Sequence, residues 1–220
     1  MVHKLEVDSV ILEFGSHRVL QDVYFTNETG KITGILGRNG CGKSCLMNII
    51  YGVLPTNDKS IRIDGQAIFA GFRNPEIFRY LPQFNYIPKD FRIRRIFGDF
   101  RLDFAKFATY FPGFEKYYTM KLGKLSGGER RIVEVYAILA SKTKFCMLDE
   151  PFSHIMPLHA ETLKSILTHE KKNKGIIITD HMHRYITDIS DHLYVITNGK
   201  TYLTKGIEDL KTLGYIAYTE

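Results

Sequence analysis

The sequence predicts an α/β protein, a mostly parallel sheet covered by helices on both faces and interrupted by an all-helical insertion. Three patterns predict it. Short, continuous apolar runs alternate with helical segments through the second half of the chain, as buried parallel strands do. A glycine-rich loop stands between a strand-like run and a helix-like run near residue 40. Five phenylalanines recur at helical spacing between the two halves. At 220 residues, with 44% hydrophobic and 25% charged residues, the chain has a globular composition and room for one domain with a large insertion.

In chain order, residues 7–14 and 18–25 are β-rich runs separated by Gly15-Ser16, a strand pair. After the turn at Glu28-Thr29-Gly30, residues 31–36 form an apolar strand. Residues 42–53 then place Cys45, Leu46, Ile49, Ile50 and Val53 at helical spacing. Short strands are expected at 60–63 and around 67–70. Phe97, Phe100, Phe104, Phe107 and Phe111, spaced by 3, 4, 3 and 4, predict one helix with five rings on a single face. Pro112-Gly113 would end it. That face reads as the core of a helical lobe. A second helix is expected from Gly127 or Gly128 to Leu139. Beyond it come a strand at 144–148, a helix at 159–170, and strands at 175–179 and 192–197. The helical insertion spans about 84–141, which leaves a core lobe of about 1–83 and 142–220 within a single domain.

No apolar run approaches the roughly 20 residues that cross a bilayer, and the first ten residues lack a signal-peptide pattern. A soluble intracellular chain is therefore expected. The 30 basic and 24 acidic residues leave a net charge of +6, compatible with nucleic acid, anionic lipid headgroups, a phosphate ligand or only a solvated surface. Arg92, Arg94, Arg95 and Arg101 read as part of that solvated surface. No nucleic-acid partner is expected. Cys41, Cys45 and Cys146 lack metal-ligand spacing and read as free thiols.

The octet from Gly37 to Ser44, GRNGCGKS, has the spacing of a triphosphate-binding loop, between strand and helix as that loop requires. Successive backbone N–H groups and the open helix start converge on phosphate oxygens. Gly40 and Gly42 allow backbone conformations that a Cβ would obstruct. Lys43 supplies a cation for the terminal phosphates and Ser44 a hydroxyl for magnesium. Cys41, near a helix start, reads either as an acidified thiol or as a small loop filler.

Four further motifs follow in order. Gln83 lies in YLPQ, Ser126-Gly127-Gly128 in KLSGGERR, Asp149-Glu150 in FCMLDEP, and His181 in TDH. Together with the phosphate loop, this set resembles the ATP-binding cassette (ABC) ATPases over essentially the whole chain. The resemblance implies a P-loop NTPase core with an antiparallel β-subdomain and an inserted α-helical subdomain. It implies ATP and Mg2+ as ligands, with Gly37, Asn39, Gly40, Cys41, Gly42, Lys43, Ser44 and Cys45 around the nucleotide. Ser44, Gln83 and Asp149 would hold magnesium. Glu150 would be the general base, and His181 would contact the γ-phosphate. Phe14 would stack on adenine. Ser126, Gly127 and Gly128 would cap the ATP of a second cassette, in a homodimer or heterodimer paired head to tail.

The implied function is the ATPase subunit of a transporter, held by separate transmembrane subunits at the cytoplasmic face of the membrane. The sequence departs from the family at three points. Cys45 stands where Thr is usual, Arg38 where Pro is common, and Met156 where an aspartate commonly shapes the dimer seam. Two alternatives stand beside transport. One is a soluble cassette in another role, although residues 83–125 leave no room for the long coiled coil such proteins often carry. The other, motivated by Met156, is an ATP-dependent clamp with weak hydrolysis.

Overall fold

The computed structural model describes residues 1–216. Two long strands open the chain, β1 (Lys4–Phe14) and β2 (His17–Glu28), paired antiparallel. There follow β3 (Ile32–Gly37), α1 (Lys43–Tyr51), β4 (Ser60–Ile63), β5 (Gln66–Ala67) and β6 (Phe78–Leu81). Helices α2 (Ile93–Asp99), α3 (Phe104–Tyr110) and α4 (Gly127–Leu139) separate β6 from β7 (Phe145–Asp149). The remainder is α5 (Pro157–Glu170), β8 (Gly175–Thr179), α6 (His183–Ile189), β9 (His192–Thr197), β10 (Lys200–Thr204) and α7 (Ile207–Thr212).

The strands form a sheet in the order β5-β4-β1-β2-β10-β9-β3-β8-β7-β6. From β6 to β9 every neighbour is parallel, whereas β5-β4-β1-β2 is antiparallel throughout. The parallel strands β3, β7 and β8 are buried at every position, which is why they read as unbroken apolar runs. Their side chains still alternate between faces. Ile32, Leu36, Cys146, Leu148, Ile176 and Ile178 join a core with α4 and α5. Ile35, Phe145, Met147 and Ile177 join a second core with α1 and the antiparallel strands.

Several expectations need correction. The five phenylalanines do not share one helix. Asp103 caps a new helix by accepting from the N–H groups of Ala105 and Lys106, and Arg101 takes a left-handed φ of 55°, so α2 and α3 are separate. The rings nevertheless converge. Phe107 lies 5.1 Å from Phe97, 5.2 Å from Phe111 and 4.9 Å from Tyr136, centroid to centroid. Phe97, Phe107 and Phe111 are buried, while Phe100 and Phe104 are partly covered at the margin. Helix α1 stops at Tyr51 because Gly52, at φ 89°, turns its N–H back onto the Asn48 and Ile49 carbonyls. Strand β5 covers only Gln66–Ala67, since the chain turns into a single 3-10 turn at Gly71–Arg73.

Replacing Phe107 by Ala should leave a cavity at the centre of this aromatic cluster. Urea unfolding is expected to show a loss of about 3–5 kcal/mol, the usual cost of a large-to-small change in a closed core.

Candidate functional site

The loop from β3 to α1 is shaped by its glycines. Gly42 sits at φ 101°, and a Cβ there would lie 2.8 and 2.9 Å from side-chain carbons of Leu20 and Val19. Only glycine lets the loop turn so tightly against β2. Lys43 is just 6% exposed, and its Nζ donates to the Gly37 carbonyl at 2.7 Å and the Arg38 carbonyl at 3.3 Å. The ammonium is therefore drawn across the mouth of its own loop, with its charge placed at the start of α1.

A cleft of about 400 Å³ opens above the loop, lined by Asn39, Gly40, Gly42, Lys43, Ser44, Cys45, Gln83, Glu150 and His181. Its far wall comes from the ends of β6, β7 and β8. The Glu150 N–H donates to the Thr179 carbonyl at 2.8 Å, and Glu150 itself holds φ 49°. Glu150 Oε2 accepts from Gln83 Nε2 at 3.0 Å and from Ser153 Oγ at 3.2 Å. His181 Nδ1 lies 3.7 Å from the same oxygen and 3.3 Å from Asp180 Oδ1. Asp180 is fully buried and accepts from the Phe152 and Met182 N–H groups; burial raises its carboxyl above the ordinary range.

The remaining expected residues stand elsewhere. Asp149 is 1% exposed and does not line the cleft. Its carboxylate accepts from Thr179 Oγ1 at 2.6 Å and from the Tyr80 hydroxyl at 3.3 Å. Burial and this carboxylate together push the Tyr80 phenol up. Cys41 packs behind the loop, and Gly37 borders an adjoining cleft with Arg38, His183 and Tyr215. Burial raises the Cys41 thiol, outweighing the nearby Lys43 charge, so the filler reading holds and the acidified thiol does not. Phe14 ends β1 with 55% of its surface exposed, outside the cleft lining.

Ser126, Gly127 and Gly128 lie outside this cleft, at the start of α4. Ser126 Oγ accepts from the Glu129 N–H at 3.3 Å, while the Ser126 N–H donates to Glu129 Oε2 at 2.9 Å, a reciprocal cap. The Ser126 hydroxyl proton remains free to donate. A Cβ on Gly128 would meet the His154 carbonyl oxygen at 2.5 Å, so the loop after Glu150 rests directly on the first turn of α4. At the end of that loop Met156 is 61% exposed and caps α5 without a side-chain hydrogen bond. Tyr80, Arg131, Thr179 and Asp180 complete the surroundings of the carboxylates, and motif reading singled out none of them.

Comparisons with known proteins bear on this arrangement. The sequence model of the family described as ABC transporter matches residues 20–153. The chain is 30% identical over 218 residues to the lipopolysaccharide export system ATP-binding protein LptB of Haemophilus influenzae, covering 91% of this chain and 89% of that protein. It is 28% identical over 225 residues to the ribose import ATP-binding protein RbsA of Lacticaseibacillus paracasei, covering 93% of this chain and 45% of that protein. A solved structure described as the ATP-binding subunit of an ABC transporter superposes with a TM-score of 0.78 at 21% identity, covering 97% of this chain and 94% of the other.

Burial also raises the Cys45 and Cys146 thiols, Cys146 up to about 12. The thiolate is the reactive form, so raised values move reaction to higher pH. In the native protein at pH 7.5, iodoacetamide should therefore modify Cys41 and Cys45 several-fold more slowly than after unfolding in urea. Cys146 should react only after unfolding. Mass spectrometry of timed samples measures all three.

Proposed function

The chain belongs to the ABC transporter family, and from that premise we propose that it is an ATPase whose two copies, or one copy and a related cassette, close around ATP to drive separate transmembrane subunits. The observation that carries this reading is the shared cleft. Lys43 and the loop N–H groups stand on one wall, while Glu150, Gln83 and His181 stand on the other. Both an export and an import ATP-binding protein are similar to the chain, and what they have in common is ATP binding for transport. Among the described residues, no helix is long and apolar enough to cross a membrane, which fits a cassette recruited to the cytoplasmic face by membrane partners.

In this reading the triphosphate enters over the loop. Lys43 exchanges its hold on the Gly37 and Arg38 carbonyls for phosphate oxygens, and the start of α1 adds its partial positive charge. Phosphoryl transfer asks little covalent chemistry of the protein, so placement and charge do most of the catalysis. Glu150 accepts a proton from the attacking water, and His181 contacts the γ-phosphate from the same wall. Gln83 donates to Glu150 through Nε2, which leaves its carbonyl oxygen available.

The donors suit magnesium, a hard cation that takes oxygen ligands and shares them with phosphates. Ser44 and Gln83 offer a hydroxyl and an amide oxygen within the cleft, and Asp149, buried behind its wall, would add the negative charge of its carboxylate. When bound, the ion would neutralise charge on the phosphates.

Ser126, Gly127 and Gly128 have no place in their own cleft, and the free proton of Ser126 together with the helix start suits a phosphate held by a second cassette. Phe14 presents an exposed ring of the kind that stacks on adenine. Met156 favours a second reading. An apolar side chain at the loop end removes acceptors from the seam, and the cassette would then act as an ATP-dependent clamp with slow turnover.

Lys43→Ala should weaken ATP binding by roughly 10- to 150-fold in calorimetry, the value of a hydrogen bond to a charged group. Glu150→Gln should retain the binding heat while ATP turnover falls about 10²–10⁴-fold. Retained heat with an unchanged rate would remove Glu150 as the base.

A further inference from the structure

Helix α4 turns two consecutive arginines inward, a costly arrangement unless their donors are met. Arg130 pairs with Glu134 at 3.1 Å, and it also donates to the Ile87 carbonyl. Glu134 in turn accepts from the Ile87 N–H at 3.2 Å. Arg131, 3% exposed, makes its bonds to backbone carbonyls. Its Nη1 donates to Pro82 at 2.9 Å, and its Nη2 donates to Asp149 at 2.7 Å and Glu150 at 3.1 Å. A guanidinium serves these acceptors because it is a rigid planar fork.

The three carbonyls have a common significance. Pro82 immediately precedes Gln83, and Asp149-Glu150 closes β7. Gln83 and Glu150 are two side chains that meet on the far wall of the cleft at 3.0 Å. Glu150 also holds a left-handed backbone, which a side-chain-bearing residue keeps only where its surroundings impose it. The Arg131 guanidinium therefore ties together the two segments whose relative placement aims the carboxylate.

We propose that Arg131 is a positioning residue for ATP hydrolysis, its guanidinium pinning the ends of β6 and β7 so that Glu150 and Gln83 face the reacting end of the cleft. The proposal rests on the reading of Glu150 as the general base. It assigns Arg131 no contact with the nucleotide.

The test is a mutant cycle of four full-length proteins: wild type, Arg131→Met, Glu150→Gln and the double variant. MgATP affinity is read by calorimetry, kcat and KM by steady-state hydrolysis, and slow rates by single turnover. Met preserves much of the apolar stem and removes every donor. Arg131→Met should lower kcat about 100-fold, the scale of a misplacement near 1 Å, with KM and MgATP affinity within about threefold of wild type. The double variant should be no slower than Glu150→Gln alone, because groups acting as a unit lose their effect together.

An unchanged kcat in Arg131→Met would overturn the proposal. So would losses that multiply in the double variant, or an affinity that falls as far as kcat. If Arg131→Met does not fold, Arg131→Gln takes its place under the same criteria, since its amide reaches fewer of the carbonyls. A Glu150→Gln protein as fast as wild type would remove the reading of the base, a failure distinguishable from that of Arg131 alone.

Discussion

The insertion of β8 between β3 and β7 is the constraint on which the site depends. Parallel pairing aligns Ile35 with Thr179 and Asp149 with Thr179, so the ends of three strands emerge at one edge of the sheet. The glycine-rich loop leaves from one of those ends, the carboxylate pair from the second and His181 from the third. Ligands of open α/β sheets collect at such carboxyl ends, where loops can vary without disturbing the strands. Here Thr179 tightens the joint further, its hydroxyl donating to Asp149 and its carbonyl accepting from Glu150.

Within that edge, the buried polar atoms divide the labour. Asp149, Asp180 and Arg131 have little contact with solvent, and they spend their hydrogen bonds on backbone groups, Thr179 and Tyr80. Glu150, Gln83, Lys43 and His181 face the cleft instead. Buried groups with partners set geometry; groups facing the cleft are left open to what enters it. This division explains why Asp149, although next to Glu150 in the chain, stands behind the cleft wall. Adjacent residues at a strand end point in opposite directions, and the left-handed kink at Glu150 sharpens the difference.

The parts of this architecture that local chemistry dictates were legible in the sequence. Residues 37–44 announce their loop because Gly40 and Gly42 occupy positive φ, at 80° and 101°, where other residues are strained. Strands β7 and β8 are continuous apolar runs because both of their faces are covered. Other features depend on contacts made at a distance. The break between α2 and α3 comes from Asp103, whose capping bonds override a phenylalanine spacing that still ends in one cluster. Strand β10 buries a single residue and lacks an alternating pattern. Helices α6 and α7 are too short, at 7 and 6 residues, for periodicity to declare them. Arg131 lies in the KLSGGERR run, where nothing local marks it for burial. Only the tertiary fold brings the carbonyls that bury it.

The strand order also has a meaning for synthesis. β3 leaves the ribosome before its sheet partners β8 and β9, and β8 joins it to β7. A nascent chain that has released residue 150 thus owns both the lysine loop and the carboxylates but lacks the strand that sets them side by side. The edge closes when the segment through His181 has emerged and threads into the gap. Until then the polypeptide carries the parts of the cleft without its geometry, so the cleft forms only after its last strand is in place.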